Sequence, residues 1–225
     1  QISRTFNKDA LKEIKKISSD KILKIGKDRL DLRHLRTFTI DPEDARDFDD
    51  ALSIQKSVKG QDLWVHISDV SAFVKPNTLV DKNAKERGNS YYFPQKVYHM
   101  LPEILSTKFC SLEPGETRLS FSIKMSLDED SNVKDYQILE CLIKSNHRYT
   151  YEQVNGILKN NKDDPYSDSL RSLDEITKIW KSNRMKNGGF EVHSNEWTSD
   201  YDNKGTPIAF HKKPIGRSQR IVEEC

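Results

Sequence analysis

The stretch TFTIDPEDARDFDDALSIQKSVKGQDLWVHIS, residues 37–68, decides how this chain is read. It opens on the β-branched and aromatic run Thr37-Phe38-Thr39-Ile40, which predicts a strand. It closes on two more strand-like runs, Ala51 to Ile54 and Leu63 to Ile67, separated by the polar turn Lys59-Gly60-Gln61, so a hairpin is expected. Between them lies DPEDARDFDD, residues 41–50, where Asp41, Asp47, Asp49 and Asp50 crowd together with Glu43 and Asp44. Carboxylates ~4 Å apart repel by roughly 4 kcal/mol per pair at an effective dielectric of about 20. Packing them onto one short loop at a sheet end makes physical sense when a hard cation neutralises them.

Three readings compete for these ten residues. An EF-hand fails, because counting from Asp41 puts Arg46 where Gly is required and Leu52 where a bidentate Glu is required. Asp41 or Asp44 could cap a turn beside Pro42, which accounts for one or two acids but not four. Metal binding accounts for all four: Asp47 and Asp49 share a side of an extended segment, and Asp50 joins them where the chain bends. An all-carboxylate set favours Mg²⁺, with Mn²⁺ as the other candidate. His34, His66, His99, His147, His193 and His211 include no HExxH and no grouping with Cys, which disfavours zinc. There is no G-x-S-x-G elbow, P-loop or G-x-G-x-x-G. His66, between Val65 and Ile67, reads as a sheet residue with its hydrogen bonds satisfied.

Working outward, 225 residues suffice for one domain or somewhat more. At 35% hydrophobic and 32% charged residues, no run approaches the roughly 20 apolar positions of a membrane helix. No signal peptide starts at Gln1, so no membrane partner is expected and the cytosol is the default location. Cys110, Cys141 and Cys225 are odd in number with no CxxC pair, which argues for free thiols and against a disulfide-linked partner. The formal charge of +2 hides an asymmetry, since residues 1–36 hold 11 Lys/Arg against 5 Asp/Glu and residues 37–225 hold 26 against 30. A basic entry beside an acidic metal loop suits a polyanionic substrate.

Ala10, Leu11, Ile14 and Ile17 recur at helical spacing, predicting one amphipathic helix over residues 7–18, followed by a basic connector to Arg36. Residues 1–36 are thus expected to precede a domain that begins at residue 37. Leu119, Phe121, Ile123 and Met125 alternate with Ser120, Ser122 and Lys124, which predicts a strand with that apolar face buried. A turn at Asp128 to Asn132 leads to a second strand from about Val133 to Ile143. Thr150 and Gln153 have capping-box spacing for a helix starting at Tyr151, and Leu170, Leu173, Ile176, Ile179 and Trp180 predict another, stopped at Gly188-Gly189. Short strands are expected at Phe190 to His193 and Pro207 to Phe210, around a turn at Asn203-Lys204-Gly205. Ser218 reads as an N-cap, and the chain reaches Cys225 without a helix terminator, so it reads as cut within a helix.

Aromatics interleave with cations twice, at Lys85, Arg87, Tyr91, Tyr92, Phe93 and Lys96, and at Lys144, His147, Arg148, Tyr149 and Tyr151. Such mixtures suit single-stranded nucleic acid, whose bases stack on rings while its phosphates meet Lys or Arg. They also occur as half-buried strand residues.

TIDPEDARDFDDAL from Thr39 to Leu52, followed by VHISDVSAFV from Val65 to Val74, resembles the catalytic (RNB) domain of the ribonuclease II and ribonuclease R family. The resemblance continues through MLPEILSTKFCSLEPGETRLSFS from Met100 to Ser122, YEQV from Tyr151 to Val154 and SQRIVEE from Ser218 to Glu224, and its wording lies closer to ribonuclease R. It implies an α+β fold with a mixed, mainly antiparallel sheet flanked by helices, of which residues 37–225 would be an incomplete, N-terminal portion. It also implies a processive 3′-to-5′ exoribonuclease that uses divalent metal to hydrolyse single-stranded RNA to 5′-nucleoside monophosphates. A catalytically inactive RNA-binding module and a metal-dependent endonuclease are the alternatives.

The resemblance further implies that Asp41 and Asp50 hold the principal Mg²⁺, while Asp47 and Asp49 place a second metal and the attacking water. Asp49 is then the acid most needed for the chemical step, in a two-metal scheme. Tyr92 matches the position that stacks on the terminal base, and Tyr151 and Glu223 match positions that contact ribose. Two departures stand out. The family's second clamp residue, a Phe, aligns with Val192, with Phe190 two positions earlier. The family's active-site arginine falls in a segment beyond residue 225, as does one flanking RNA-binding barrel, with two more placed before residue 1.

Overall fold

The computed structural model describes residues 5–15, 17–58, 60–93, 96–160, 163–191, 197–203, 206–212 and 215–225. Contacts divide the chain into two compact units, residues 1–150 and 151–225.

The first unit begins with two short helices, α1 (Lys8–Ile14) and α2 (Ser19–Ile25). Asn7 caps α1, its side chain accepting a hydrogen bond from the Asp9 amide. One helix over residues 7–18 was expected; the helix stops at Ile14, and the presumed connector holds α2 instead. Ile22 and Ile25 mark its inner face among the described side chains, too few positions to register as a period. Ala10, Ile14 and Ile22 join one core cluster with Leu105, Phe109, Leu119 and Leu142, so this basic segment packs against the sheet.

That sheet has six strands: β1 (Leu30–Asp31), β2 (Thr37–Asp41), β3 (Asp50–Ser57) and β4 (Gly60–Ser68), and, beyond a separate small hairpin of β5 (Tyr91–Phe93) and β6 (Lys96–Tyr98), β7 (Thr117–Leu127) and β8 (Val133–Thr150). Its order is β1-β8-β2-β3-β4-β7, and β8 also pairs with β7, so the sheet closes on itself. Only the pairings of β8 with β1 and β2 are parallel; the rest are antiparallel, as the α+β expectation required. The expected β3–β4 hairpin is present, although Lys59 of its turn lies outside the described residues. Gly60 has φ 141°, and a Cβ there would lie 2.2 Å from the Leu127 carbonyl oxygen, so only glycine fits. Helix α3 (Leu79–Arg87), capped by Thr78, leads to the small hairpin.

The alternation in β7 held at Leu119, which is buried, but not along the rest of the strand. Ser120 and Ser122 are fully buried, whereas Phe121 is 37% exposed. A closed sheet has an interior to fill, and here part of that filling is polar. His66, fully buried, hydrogen-bonds Ser53 Oγ through Nε2 at 3.0 Å and Ser122 Oγ through Nδ1 at 2.7 Å. Thr37 extends this chain from Ser53, and Ser120 extends it from Ser122. His66 is the satisfied sheet residue its flanks predicted. Burial holds its imidazole well below the usual range, at about 4.

The second unit contains α4 (Tyr151–Asn160), α5 (Ser167–Lys186), the hairpin β9 (Trp197–Tyr201) and β10 (Pro207–Lys212), and α6 (Arg217–Glu224). Helix α4 starts at Tyr151 and α5 ends before Gly188, both as expected. The expected strand at Phe190 does not form at Phe190 or Glu191, and Val192 and His193 lie outside the described residues, as do Lys204 and Gly205 of the expected turn. Gly216, not Ser218, occupies the N-cap of α6. Ser218 is buried inside the first turn, its amide donating to Asn155 Oδ1 on α4. Arg217 and Arg220 converge on buried Asp174 of α5, fixing α6 against its neighbours. Among the described residues no helix is long and apolar enough to cross a membrane.

Candidate metal centre

Two strands part to make the site. β2 pairs with β3 only at Thr37 with Ser53 and Phe38 with Leu52. All five of its residues pair with β8, and the last three pair with β8 alone, with Thr39 opposite Arg148, Ile40 opposite Tyr149 and Asp41 opposite Thr150. β3 meanwhile stays on β4, with Asp50 opposite Ile67. Asp41 and Asp50 therefore stand on diverging strands, and residues 42–49 span the gap. Pro42, having no N–H, ends the ladder directly after Asp41.

The spanning loop is tied down at both limbs. On the first, Arg148 donates through Nη2 to the Pro42 carbonyl at 2.5 Å and the Glu43 carbonyl at 2.8 Å. On the second, Phe48 is buried, its amide donating to Ser111 Oγ at 3.1 Å and its carbonyl accepting from the Leu112 amide at 2.8 Å. The Asp49 carbonyl accepts from the Ser68 amide at 2.8 Å.

Electrostatics mark the acids as one group. Burial pushes the Asp41 carboxyl up to about 6, opposed by the neighbouring Thr39 hydroxyl and by Arg148 and reinforced by the charges of Asp50 and Asp49. Its Oδ2 is buried without a hydrogen-bond partner. Asp49 also rises to about 6, first through desolvation and then through Asp47 and Asp50, and desolvation raises Asp50 as well. Tyr92 donates its hydroxyl to Asp47 Oδ2 at 2.8 Å. Desolvation and that acceptor hold the phenol up at about 12. Among the described residues, no three His, Cys, Asp or Glu side chains stand close enough to hold an ion as they are. The donors nevertheless fit a hard cation: all are carboxylate oxygens, they repel one another, and one buried oxygen lacks a partner that a cation would supply.

A cavity of about 290 Å³ opens beside Asp47 and Asp49. Ile67, Val70, Met100 and Leu101 give it an apolar wall, and Ser68 and Tyr92 line it too. The Tyr92 ring, on β5, is 65% exposed. Asp41, Asp47, Asp49, Asp50 and Tyr92 thus share the first unit, all five linked by hydrogen bonding or by mutual charge repulsion. Tyr151 and Glu223 belong to the second unit, Tyr151 half-buried at the start of α4 and Glu223 exposed on α6.

The two aromatic-cation clusters separate. Tyr91, Tyr92 and Phe93 do present rings to solvent. Tyr149 is a core residue, edge-on to Phe38 at 5.8 Å, and Arg148 is engaged by the carboxylate loop. Sequence reading passed over Ser111 and grouped Arg148 with cations suited to RNA, because neither is adjacent in sequence to the acids it supports.

Residues 29–225 match the RNB domain. The chain belongs to the RNB domain family. A relative named ribonuclease R from Chlamydia trachomatis is 38% identical over 197 residues, covering 87% of this chain and 28% of the relative. Ribonuclease R from Aquifex aeolicus is 36% identical over 225 residues, covering 97% of this chain and 32% of the relative. The structure of Mycoplasma genitalium RNase R in complex with ribose-methylated single-stranded RNA superposes with a TM-score of 0.91 at 28% identity, covering 99% of this chain and 35% of that one. The chain spans about a third of the length of the RNB relatives it matches.

Proposed function

We propose that this RNB chain is part of a metal-dependent exoribonuclease that degrades single-stranded RNA from its 3′ end to 5′-nucleoside monophosphates. The observation that carries the reading is the meeting of Asp47 and Asp49 with Tyr92 around one cavity, beside Asp41 and Asp50 on parting strands. Residues 37–225 would supply the N-terminal portion of the catalytic domain, entered through the basic segment before it.

Mg²⁺ ions, when bound, would supply countercharge for the phosphodiester and an acidified water. Asp41 and Asp50, at the ends of β2 and β3, would hold the principal ion. Asp47 and Asp49 would hold the second and orient the attacking water, with Asp49 the acid most needed for the chemical step. Tyr92 offers its ring to the terminal base, with the apolar wall of the cavity behind it. Tyr151 and Glu223 would contact ribose and favour RNA through the 2′-OH.

The test uses the intact protein and a 5′-labelled single-stranded RNA. Mg²⁺ should produce a descending ladder ending in one short product, and chelation should stop it. Asp49→Asn should abolish cleavage and leave RNA affinity within about twofold, because a neutral amide removes a metal donor without removing a phosphate contact. Internal cuts would indicate an endonuclease, and binding without cleavage would indicate an inactive RNA-binding module. Unchanged turnover in Asp49→Asn would remove these acids from the mechanism.

A further inference from the structure

The carboxylate loop poses a mechanical problem that strand pairing does not solve. Because β2 leaves β3 after Phe38, no backbone ladder fixes the distance between Asp41 and the acids at the loop's far end. One side chain reaches both limbs. Arg148 stands on β8 opposite Thr39, donates to the Pro42 and Glu43 carbonyls, and lies with Cζ 5.4 Å from the centre of the Phe48 ring. Pro42 and Glu43 follow Asp41 directly, and Phe48 sits between Asp47 and Asp49. The planar guanidinium suits this task, since one edge can donate to two carbonyls while a face meets an aromatic ring.

We propose that Arg148 is the positioning residue of the metal centre, bridging the two limbs of residues 42–49 so that Asp41 and Asp47, Asp49 and Asp50 are held in register for divalent-cation binding. Its charge also acts on Asp41, offsetting part of the repulsion among the acids. Arg148 touches neither metal nor RNA in this role; it acts through the loop backbone. A lysine cannot replace it, because an ammonium offers no planar face to Phe48 and no rigid fork for two carbonyls. The inference rests on the metal-dependent reading above.

The test compares Arg148→Lys and Arg148→Ala with the parent in the intact protein by three measurements. Without metal, amide hydrogen exchange should accelerate across residues 43–48 in both variants, while β4 and β7 remain protected. Mg²⁺ titrations of RNA cleavage should give half-saturation raised by about 10- to 100-fold, the usual penalty for losing a group that orients metal ligands. RNA affinity in chelator should change by less than about twofold, since a phosphate contact would instead weaken it and flatten its salt dependence. Parental exchange in residues 43–48 with an unchanged Mg²⁺ requirement would overturn the proposal. So would an RNA-affinity loss in chelator matching the loss of activity, which would make Arg148 a phosphate ligand. If Arg148→Ala fails to fold, Arg148→Lys carries the test. If the parent itself shows no Mg²⁺-dependent cleavage, the functional reading fails, and the exchange measurement still decides whether Arg148 holds the loop.

Discussion

Acidification should weaken divalent-metal binding by a margin that ordinary carboxylates would not produce. Asp41 and Asp49 each bind their proton up to about pH 6, so at pH 7 both are mostly charged and at pH 5 both are mostly neutral. A raised carboxyl pKa favours the protonated form, and a cation must displace that proton. Affinity therefore falls as pH drops through 6. Each acid reduces the apparent binding constant by the factor 1 + 10^(pKa − pH), which is close to one at pH 7 and about 11 at pH 5, giving roughly 100-fold for the pair. Two carboxyls at the usual value near 3.9 would give only about a tenth's reduction each over the same range. Titration calorimetry with Mn²⁺ or Mg²⁺ between pH 5 and 7.5, in buffers of different ionisation enthalpy, reads both the affinity and the protons released. An affinity flat from pH 7 to 5, with no proton release near pH 6, would refute the coupling of burial and mutual repulsion inferred for these acids.

Three other outcomes are expected. Tyr92→Phe keeps the exposed ring and loses the hydroxyl's bond to Asp47, so affinity for a short single-stranded RNA should stay within about twofold, whereas Tyr92→Ala should lose about 1–3 kcal/mol of stacking. Equal losses in fluorescence anisotropy would show that the hydroxyl matters and the ring does not. His66 should make the fold acid-sensitive: its pKa is depressed from 6.5 to about 4, so the stability it provides is complete above 6.5 and declines as pH falls toward 4. Metal-free urea unfolding at pH 7.5 and pH 5 should show the stability of His66→Gln relative to the parent improving by about 2 kcal/mol at the lower pH, with no change in that difference counting against a neutral buried imidazole. Gly60→Ala should lower the unfolding midpoint markedly, because its Cβ would collide with the Leu127 carbonyl in a backbone conformation that alanine avoids.

What the sequence made legible was local. The hairpin of β3 and β4, the helix at Tyr151 and the crowding of the acids all depend on neighbours within a few residues. What it hid was non-local. Nothing in residues 37–41 announces that they run parallel to residues 145–150, or that their ladder with β3 ends at Phe38 while the one with β8 continues to Asp41. Arg148 sat in a mixture of cations and rings that suggested RNA contact, and only the fold shows it turned toward Pro42 and Glu43. Alternation in β7 failed for a related reason: a serine looks like a surface residue until a buried histidine on the next strand gives it a partner. Short helices such as α2 escape periodicity, since seven residues span barely two turns.

On the proposed reading, four carboxylates, two at the ends of β2 and β3 and two on the pinned loop between them, hold divalent metal at the end of an RNA strand. Anomalous diffraction from crystals of the intact protein, grown with single-stranded RNA and Mn²⁺, tests it most directly. Mn²⁺ peaks are expected within bonding distance of Asp41 and Asp50 carboxylate oxygens, beside Asp49 and against the RNA's 3′-terminal phosphodiester. Peaks elsewhere on the protein, with these oxygens unligated and RNA bound away from them, would contradict it.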